Sequence, residues 1–220
     1  DLAHLHAPAL VPNIQTGLDR LIAALRGNER ILIFGDYDVD GMTAVSLLMR
    51  LLKPLATGGI LYHVPNRLEE GYGLSPEVIA RAAARGVKLI VTVDCGIAGC
   101  REVAYARELG VDVIVTDHHE PGEEIPDAVA VIDPKLPGSA YPHPELAGVG
   151  VAFKLAQALC EEGLIRYEDL WRHLDLVALG TVADVVPLVD ENRILVHHGL
   201  ARLARTELPG LRALLEKVHL

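Results

Sequence analysis

The sequence predicts a mostly parallel, doubly wound α/β sheet of five strands flanked by helices, with a helical C-terminal part. Three observations carry this. Short apolar runs rich in Val and Ile are continuous rather than alternating, as strands covered on both faces are. Amphipathic segments of helical length separate them. An acid or a histidine comes directly after nearly every run, where α/β folds place ligands.

In chain order, Thr16–Arg26 reads as a helix and "ILIF", Ile31–Phe34, as a buried strand. Met42–Leu52 comes next as a helix, then Ile60–Val64 as a strand. "SPEVIARAAARG" carries its own signals: Ser75 to cap, Pro76 in the first turn and Gly86 at the stop, predicting a helix over Pro76–Arg85. Leu89–Val93, Val113–Thr116 and Val129–Ile132 complete the strands, with a helix over Ala98–Leu109 between the first two. Val149–Glu162 is the next helix, and from Trp171 onward the chain reads as largely helical.

The 220 residues suit one large α/β domain, and a hydrophobic half gives it a core. No apolar run approaches a membrane span, and no basic start followed by an apolar stretch opens the chain. The three cysteines, Cys95, Cys100 and Cys160, are too few and too irregular for a disulfide framework. They read as core thiols in a reducing, cytoplasmic setting. A net charge of −10 argues against a surface that coats nucleic acid non-specifically. It leaves room for an enzyme whose acids hold cations.

Parallel strands present their C-terminal ends to one edge. After the first come Asp36, Asp38 and Asp40, in "GDYDVDG". After "LIVTV" comes Asp94; after "VIVT" come Asp117, His118 and His119; after "VAVI" comes Asp133. Mixed carboxylate and imidazole suits Mn²⁺ or Mg²⁺, and so many acids suit two ions. Helix capping accounts for Asp40 alone or Asp94 alone, but one cap needs one acid and "DYDVD" offers three. Asp133 before Pro134 reads as a turn acid, and His197–His198 as surface residues.

At these residues the chain resembles the DHH phosphoesterase superfamily. "TDHH" carries the name, and "GDYDVDG", "VTVDCGI", "TDHHEPGEEIPDAVAVIDPK" and "LDLVALGTVADVVPL" look like its successive motifs in order. "PNRLEEGYGLS" and "ELAGVGVAFKLAQAL" narrow the match to the RecJ-type single-strand-specific 5′→3′ exonucleases. Small-substrate branches resemble H-x-x-x-D-x-D at the first motif; here Phe34 stands four residues before Asp38, which favours the exonuclease branch.

The resemblance implies two-metal phosphodiester hydrolysis, DNA repair and recombination as the setting, and single-stranded DNA as partner. A helicase or single-strand-binding protein would be a further partner, and the protein would act as a monomer. Asp38, Asp40, Asp94, His118 and Asp175 would be metal ligands, with Asp94 bridging the ions. Asp36 would be a further ligand or an acid bonded behind the ligands. His119 would contact the scissile phosphate or else hold His118, Asp117 would orient the site, and Asp184 would cap or support. "AGVG", with Gly148 and Gly150, would bring backbone N–H groups to a phosphate at a helix start. Arg67, Lys135 and Lys154 are candidate strand-backbone contacts, and Tyr72 a candidate stacking residue. The family's second, DHHA1-type domain carries a glycine- and histidine-rich motif that is not found. The expected organisation is therefore a catalytic domain over residues 1–205, with 206–220 beginning a connection. Two other readings stand beside it: a phosphohydrolase of the same superfamily acting on pyrophosphate or a cyclic dinucleotide, and a catalytically silent DNA-binding or scaffold module.

Overall fold

A computed structural model describes residues 1–71 and 73–219. Two short 3₁₀ turns, Leu2–His4 and Pro8–Leu10, precede α1 (Ile14–Arg26). The sheet has five strands, β1 (Arg30–Gly35), β2 (Ile60–His63), β3 (Val87–Val93), β4 (Asp112–Thr116) and β5 (Ala130–Ile132). Between them lie α2 (Val39–Leu52), α3 (Pro76–Ala84) and α4 (Cys100–Glu108), and after them α5 (Gly148–Glu161), α6 (Tyr167–Trp171), α7 (Leu174–Ala183), α8 (Asp190–Leu203) and α9 (Pro209–Lys217). All strand pairs are parallel, in the order β2-β1-β3-β4-β5.

Successive strand residues point to opposite faces, and the core divides accordingly. Ile31 and Ile33 of β1, with Leu89, Val91 and Val93 of β3, face one layer, which α1, α2, α5 and α7 cover. Leu32, Phe34 and Ile90 face the other, under α3 and α4. Both faces are dry, which is why the strands read as unbroken apolar runs.

The chain leaves β1 for β2 on one side and returns to pair β3 on the other. The sheet therefore reverses its winding between β1 and β3, where a crevice opens beyond the strand ends. Gly35 stands level with Val93 across that pair, so Asp36 and Asp94 leave the sheet side by side.

Helix α2 begins three residues earlier than the apolar pattern indicates, because Asp38 caps it by accepting the Gly41 amide at 2.9 Å. Asp40 thereby sits in the first turn of a helix instead of a loop. Ser75 caps α3 through the Val78 amide, as its sequence signals require. The expected boundary at residue 205 falls in the turn between α8 and α9; beyond it, Thr206 bonds Asp175 and Leu211 of α9 is buried in the main core. Among the described residues no helix is long and apolar enough to cross a membrane. The three thiols are free, with Cys95 and Cys160 buried.

Candidate metal centre

Four segments deliver acids and histidines to the crevice. From β1 come Asp36, which is buried, and Asp38, which is exposed. Asp40 lies in the first turn of α2, and its carboxylate accepts the amides of Gly148 at 2.6 Å and Val149 at 2.9 Å. The start of α5 thus meets an anion, but the anion is Asp40. The expectation that Gly148 offers its N–H to a phosphate is corrected accordingly: that donor is already engaged, and the positive helix end steadies a buried carboxylate. Gly150 lies deeper in α5 against Leu146 and does not reach the cluster.

Asp94 leaves β3 in the left-handed region, at φ 59°, which turns its side chain into the crevice. Gly148 packs so closely there that a Cβ would lie 2.5 Å from Asp94 Oδ1. Gly180 of α7 makes the matching approach, with a Cβ position 2.8 Å from Asp40 Oδ1. His118, after β4, sets its Nε2 3.1 Å from Asp94 Oδ1, 3.7 Å from Asp184 Oδ2 and 3.9 Å from Asp40 Oδ2.

Asp117 organises the other side. Its Oδ1 accepts the His118 amide at 2.8 Å and lies 2.7 Å from His119 Nδ1, while Oδ2 accepts the Ile97 amide at 2.9 Å.

The structure brings together three sets of potential donors: Asp94, His118 and His119; Asp40, His118 and Asp184; Asp36, Asp38 and Asp94, with the donor atoms of each set within 4.8 Å of one another. Asp94 and His118 each belong to two sets. Asp36 Oδ1, Asp94 Oδ1 and His118 Nε2 are buried without a hydrogen-bond partner. Buried polar atoms are ordinarily satisfied, so this convergence of hard oxygen and imidazole nitrogen donors fits divalent cations.

Without positive charge the cluster holds protons. Burial, then the charge of Asp94, raises the Asp40 carboxyl to about 8; burial, then Asp38, raises Asp94 to about 9. Burial also raises Asp36 and Asp184. The bond to Asp117 raises the His119 imidazole to about 9, so it is cationic at neutral pH. Asp133 is buried, gives one oxygen to the Lys135 amide at 2.8 Å, and is raised by burial to about 7.

Two expectations fail on geometry. Asp175 lies at the start of α7, and its oxygens go to the Leu176 amide at 2.9 Å and Thr206 Oγ1 at 2.6 Å. Asp184, nine residues on, is at the cluster; on a helix that separates the two by about 13 Å. The acid of this motif that reaches the cluster is thus Asp184, not Asp175. Lys154 is fully buried, ion-paired with Glu191 and hydrogen-bonded to His6 O at 2.8 Å, so no strand can touch it. Lys135 is engaged by Glu120 at 3.3 Å and Glu145 at 3.4 Å. Arg67 remains at the mouth, its guanidinium 5.2 Å from the centre of the Tyr37 ring, where its charge bears on Asp36. Tyr72 lies outside the described residues. His197 and His198 stack edge to face on α8, outside the three donor sets. Phe34 is buried and stacks on His63, so this position brings no ligand atom to the crevice.

The model of the DHH family, N-terminal domain, matches residues 30–181. The single-stranded-DNA-specific exonuclease RecJ of Bacillus subtilis is 46% identical over 214 residues, covering 97% of this chain and 26% of that protein. The RecJ of Escherichia coli is 48% identical over 213 residues, 92% of this chain and 37% of that one. A manganese-bound crystal structure of exonuclease RecJ superposes with a TM-score of 0.85 at 39% identity, over 94% of this chain and 52% of that chain. RecJ of Thermus thermophilus in complex with Mn²⁺ gives 0.79 at 37% identity, over 94% and 30%. The chain therefore spans well under half the length of the curated relatives named here.

Proposed function

The chain belongs to the DHH family, and from that premise we propose that it is the catalytic domain of a metal-dependent exonuclease that removes nucleotides from the 5′ end of single-stranded DNA. The observation that carries the reading is the trio of buried atoms that make no hydrogen bond, Asp36 Oδ1, Asp94 Oδ1 and His118 Nε2, held in donor sets that share Asp94 and His118. Asp36, Asp38, Asp40, Asp94, His118 and Asp184 would hold two Mn²⁺ or Mg²⁺ ions. When bound, such a pair activates water and neutralises charge on a phosphate undergoing in-line displacement.

The chain's own groups do the rest. The amides of Gly148 and Val149 fix Asp40 before any ion arrives. Asp117 fixes the direction of the His119 ring through Nδ1 and holds its positive charge, so that the imidazolium can donate to a phosphoryl oxygen as charge builds there. Arg67, exposed beside Tyr37, is placed to meet the strand's backbone. A helicase or single-strand-binding protein as partner, action as a monomer and a cytoplasmic location belong to the same proposal, as does a second domain joined beyond α9.

The test is an assay of the 220-residue chain with Mn²⁺ on 5′-labelled single-stranded DNA, duplex DNA and pyrophosphate. The expected result is mononucleotide release from the single strand alone, lost in Asp40→Asn. Hydrolysis of pyrophosphate with the strand untouched would overturn it.

A further inference from the structure

Six of the 20 lysines and arginines of this acidic chain line adjoining cavities away from the metal centre. A cavity of about 670 Å³ opens where α2 and α8 end and α7 begins, and Arg50, Arg166, Arg172, Arg202 and His173 stand in its walls. A second cavity of about 680 Å³ shares Arg50 and His173 with it and adds Lys53 and Tyr62. A third of about 360 Å³ shares Arg172 and Arg202 and adds Arg205 and Trp171. Through these shared residues the first cavity adjoins each of the other two, and the three together make a trough along this face.

Six Lys and Arg line the trough against four acids, Glu168, Asp169, Asp175 and Glu207. The whole chain has the opposite balance, 20 against 30. Two of those acids are occupied: Asp169 pairs with Arg166 at 2.9 Å and Arg172 at 3.5 Å, and both oxygens of Asp175 are hydrogen-bonded. Among the described residues Arg50, Lys53, Arg202 and Arg205 have no carboxylate within ion-pair distance. His173 Nδ1, between Arg50 and Arg202, is buried with no hydrogen-bond partner. At the two ends stand aromatic rings open to solvent, Tyr62 at 66% exposure and Trp171 at 36%.

We infer that this trough is a second binding site for single-stranded nucleic acid, with Arg50 and Arg202 at a backbone phosphate and Tyr62 and Trp171 as stacking faces for bases. Guanidinium groups free of carboxylates match phosphate oxygens. Exposed aromatic rings beside them match bases and have no counterpart in an acidic peptide. The site is separate from the metal centre. Helices α2 and α7 run antiparallel, with Asp38 and Asp184 at one end and Arg50 and His173 at the other, about 17 Å away. The trough therefore grips a strand whether or not the metal centre cuts it.

The experiment is fluorescence anisotropy of a labelled oligothymidylate of about 12 nucleotides with the 220-residue chain in EDTA, over a series of salt concentrations. Arg50→Gln with Arg202→Gln should weaken binding at least about tenfold and flatten the slope of log K against log salt by about 1.4, near 0.7 per lost phosphate contact. Tyr62→Ala, at an exposed position that folding does not need, should weaken it by about 5- to 100-fold. Lys53→Gln with Arg205→Gln, both at the surface, repeats the test if the first pair unfolds. Unaltered affinity in both double variants would overturn the inference. So would an acidic peptide competing more tightly than the oligonucleotide, or inorganic phosphate binding as tightly as the strand does.

Discussion

Oδ1 of Asp117 lies 2.7 Å from Nδ1 of His119, and the same oxygen accepts the His118 amide. One buried carboxylate therefore fixes both histidines of the motif, one through its backbone and one through its ring. This division gives them different tasks and a way to tell them apart. His119→Ala should leave Mn²⁺ affinity within about threefold while single-turnover cleavage falls about 10²–10³-fold, the usual cost of losing one donor to a developing charge. Calorimetric Mn²⁺ titration beside single-turnover kinetics checks both. Cleavage restored at saturating metal would assign His119 to the metal instead.

Asp184 and Asp175 should separate cleanly. Asp184→Asn removes a donor 3.7 Å from His118 Nε2, so Mn²⁺ binding should weaken by at least about tenfold with the metal-free melting temperature held or raised. Asp175→Asn should leave Mn²⁺ binding unchanged and cost about 1 kcal/mol of stability through its bond with Thr206. Urea denaturation and calorimetry on the two variants decide the matter.

Gly148→Ala adds a methyl group 2.5 Å from Asp94 Oδ1 and 2.6 Å from its Cβ. Either α5 or Asp94 must shift, and a displacement near 1 Å at a reacting centre costs about 10²-fold in rate. The expected result is that loss in cleavage by a chain whose far-ultraviolet circular dichroism is unchanged.

The metal-free protein should lose stability as pH rises. Asp40 and Asp94 hold protons to about 8 and about 9 when folded, against 3.8 ordinarily. Their contribution is fully present below 3.8 and disappears as pH rises through the folded values. His119, raised from 6.5 to about 9, adds in the same direction. Melting curves in EDTA should therefore fall by several degrees between about pH 6 and about pH 9.5. Excess Mn²⁺ should reverse the trend, since it binds the deprotonated carboxylates.

Lys154→Ala leaves the Glu191 carboxylate buried without its cation, a change worth about 3–5 kcal/mol. Urea denaturation should show it, with cleavage per folded molecule within about twofold of wild type.

Much of this was legible in the sequence because burial on both faces writes strands as unbroken apolar runs, and parallel strands bring the residues just past their C-terminal ends to one edge. Asp36, Asp38, Asp40, Asp94, His118 and His119 were found that way. The helices past β5 gave less. Helix α7 is apolar on nearly every side, so no stripe shows which end meets the crevice, and the resemblance assigns the ligand role to Asp175 and only support to Asp184. Chain direction carried the missing signal: α5 starts at the crevice with Gly148 and leads away, so α7 returns and its C-terminal acid arrives. Lys154 failed for the same reason. Six residues into α5, it is about 9 Å down a helix that is buried throughout.

Glu191 also bears on where this protein can be trimmed. Its carboxylate takes the His6 amide at 2.8 Å, the Tyr141 hydroxyl and the Lys154 ammonium, and that ammonium in turn donates to His6 O. The segment before the first long helix thus lies mostly on the surface but is pinned to the interior through His6, with Pro8 and Val11 buried beside it. A fragment cut to begin at Ile14 would drop two of those bonds and let water reach a buried ion pair. Limited proteolysis should accordingly spare residues 5–10 in the native protein and attack them early once Glu191 is replaced.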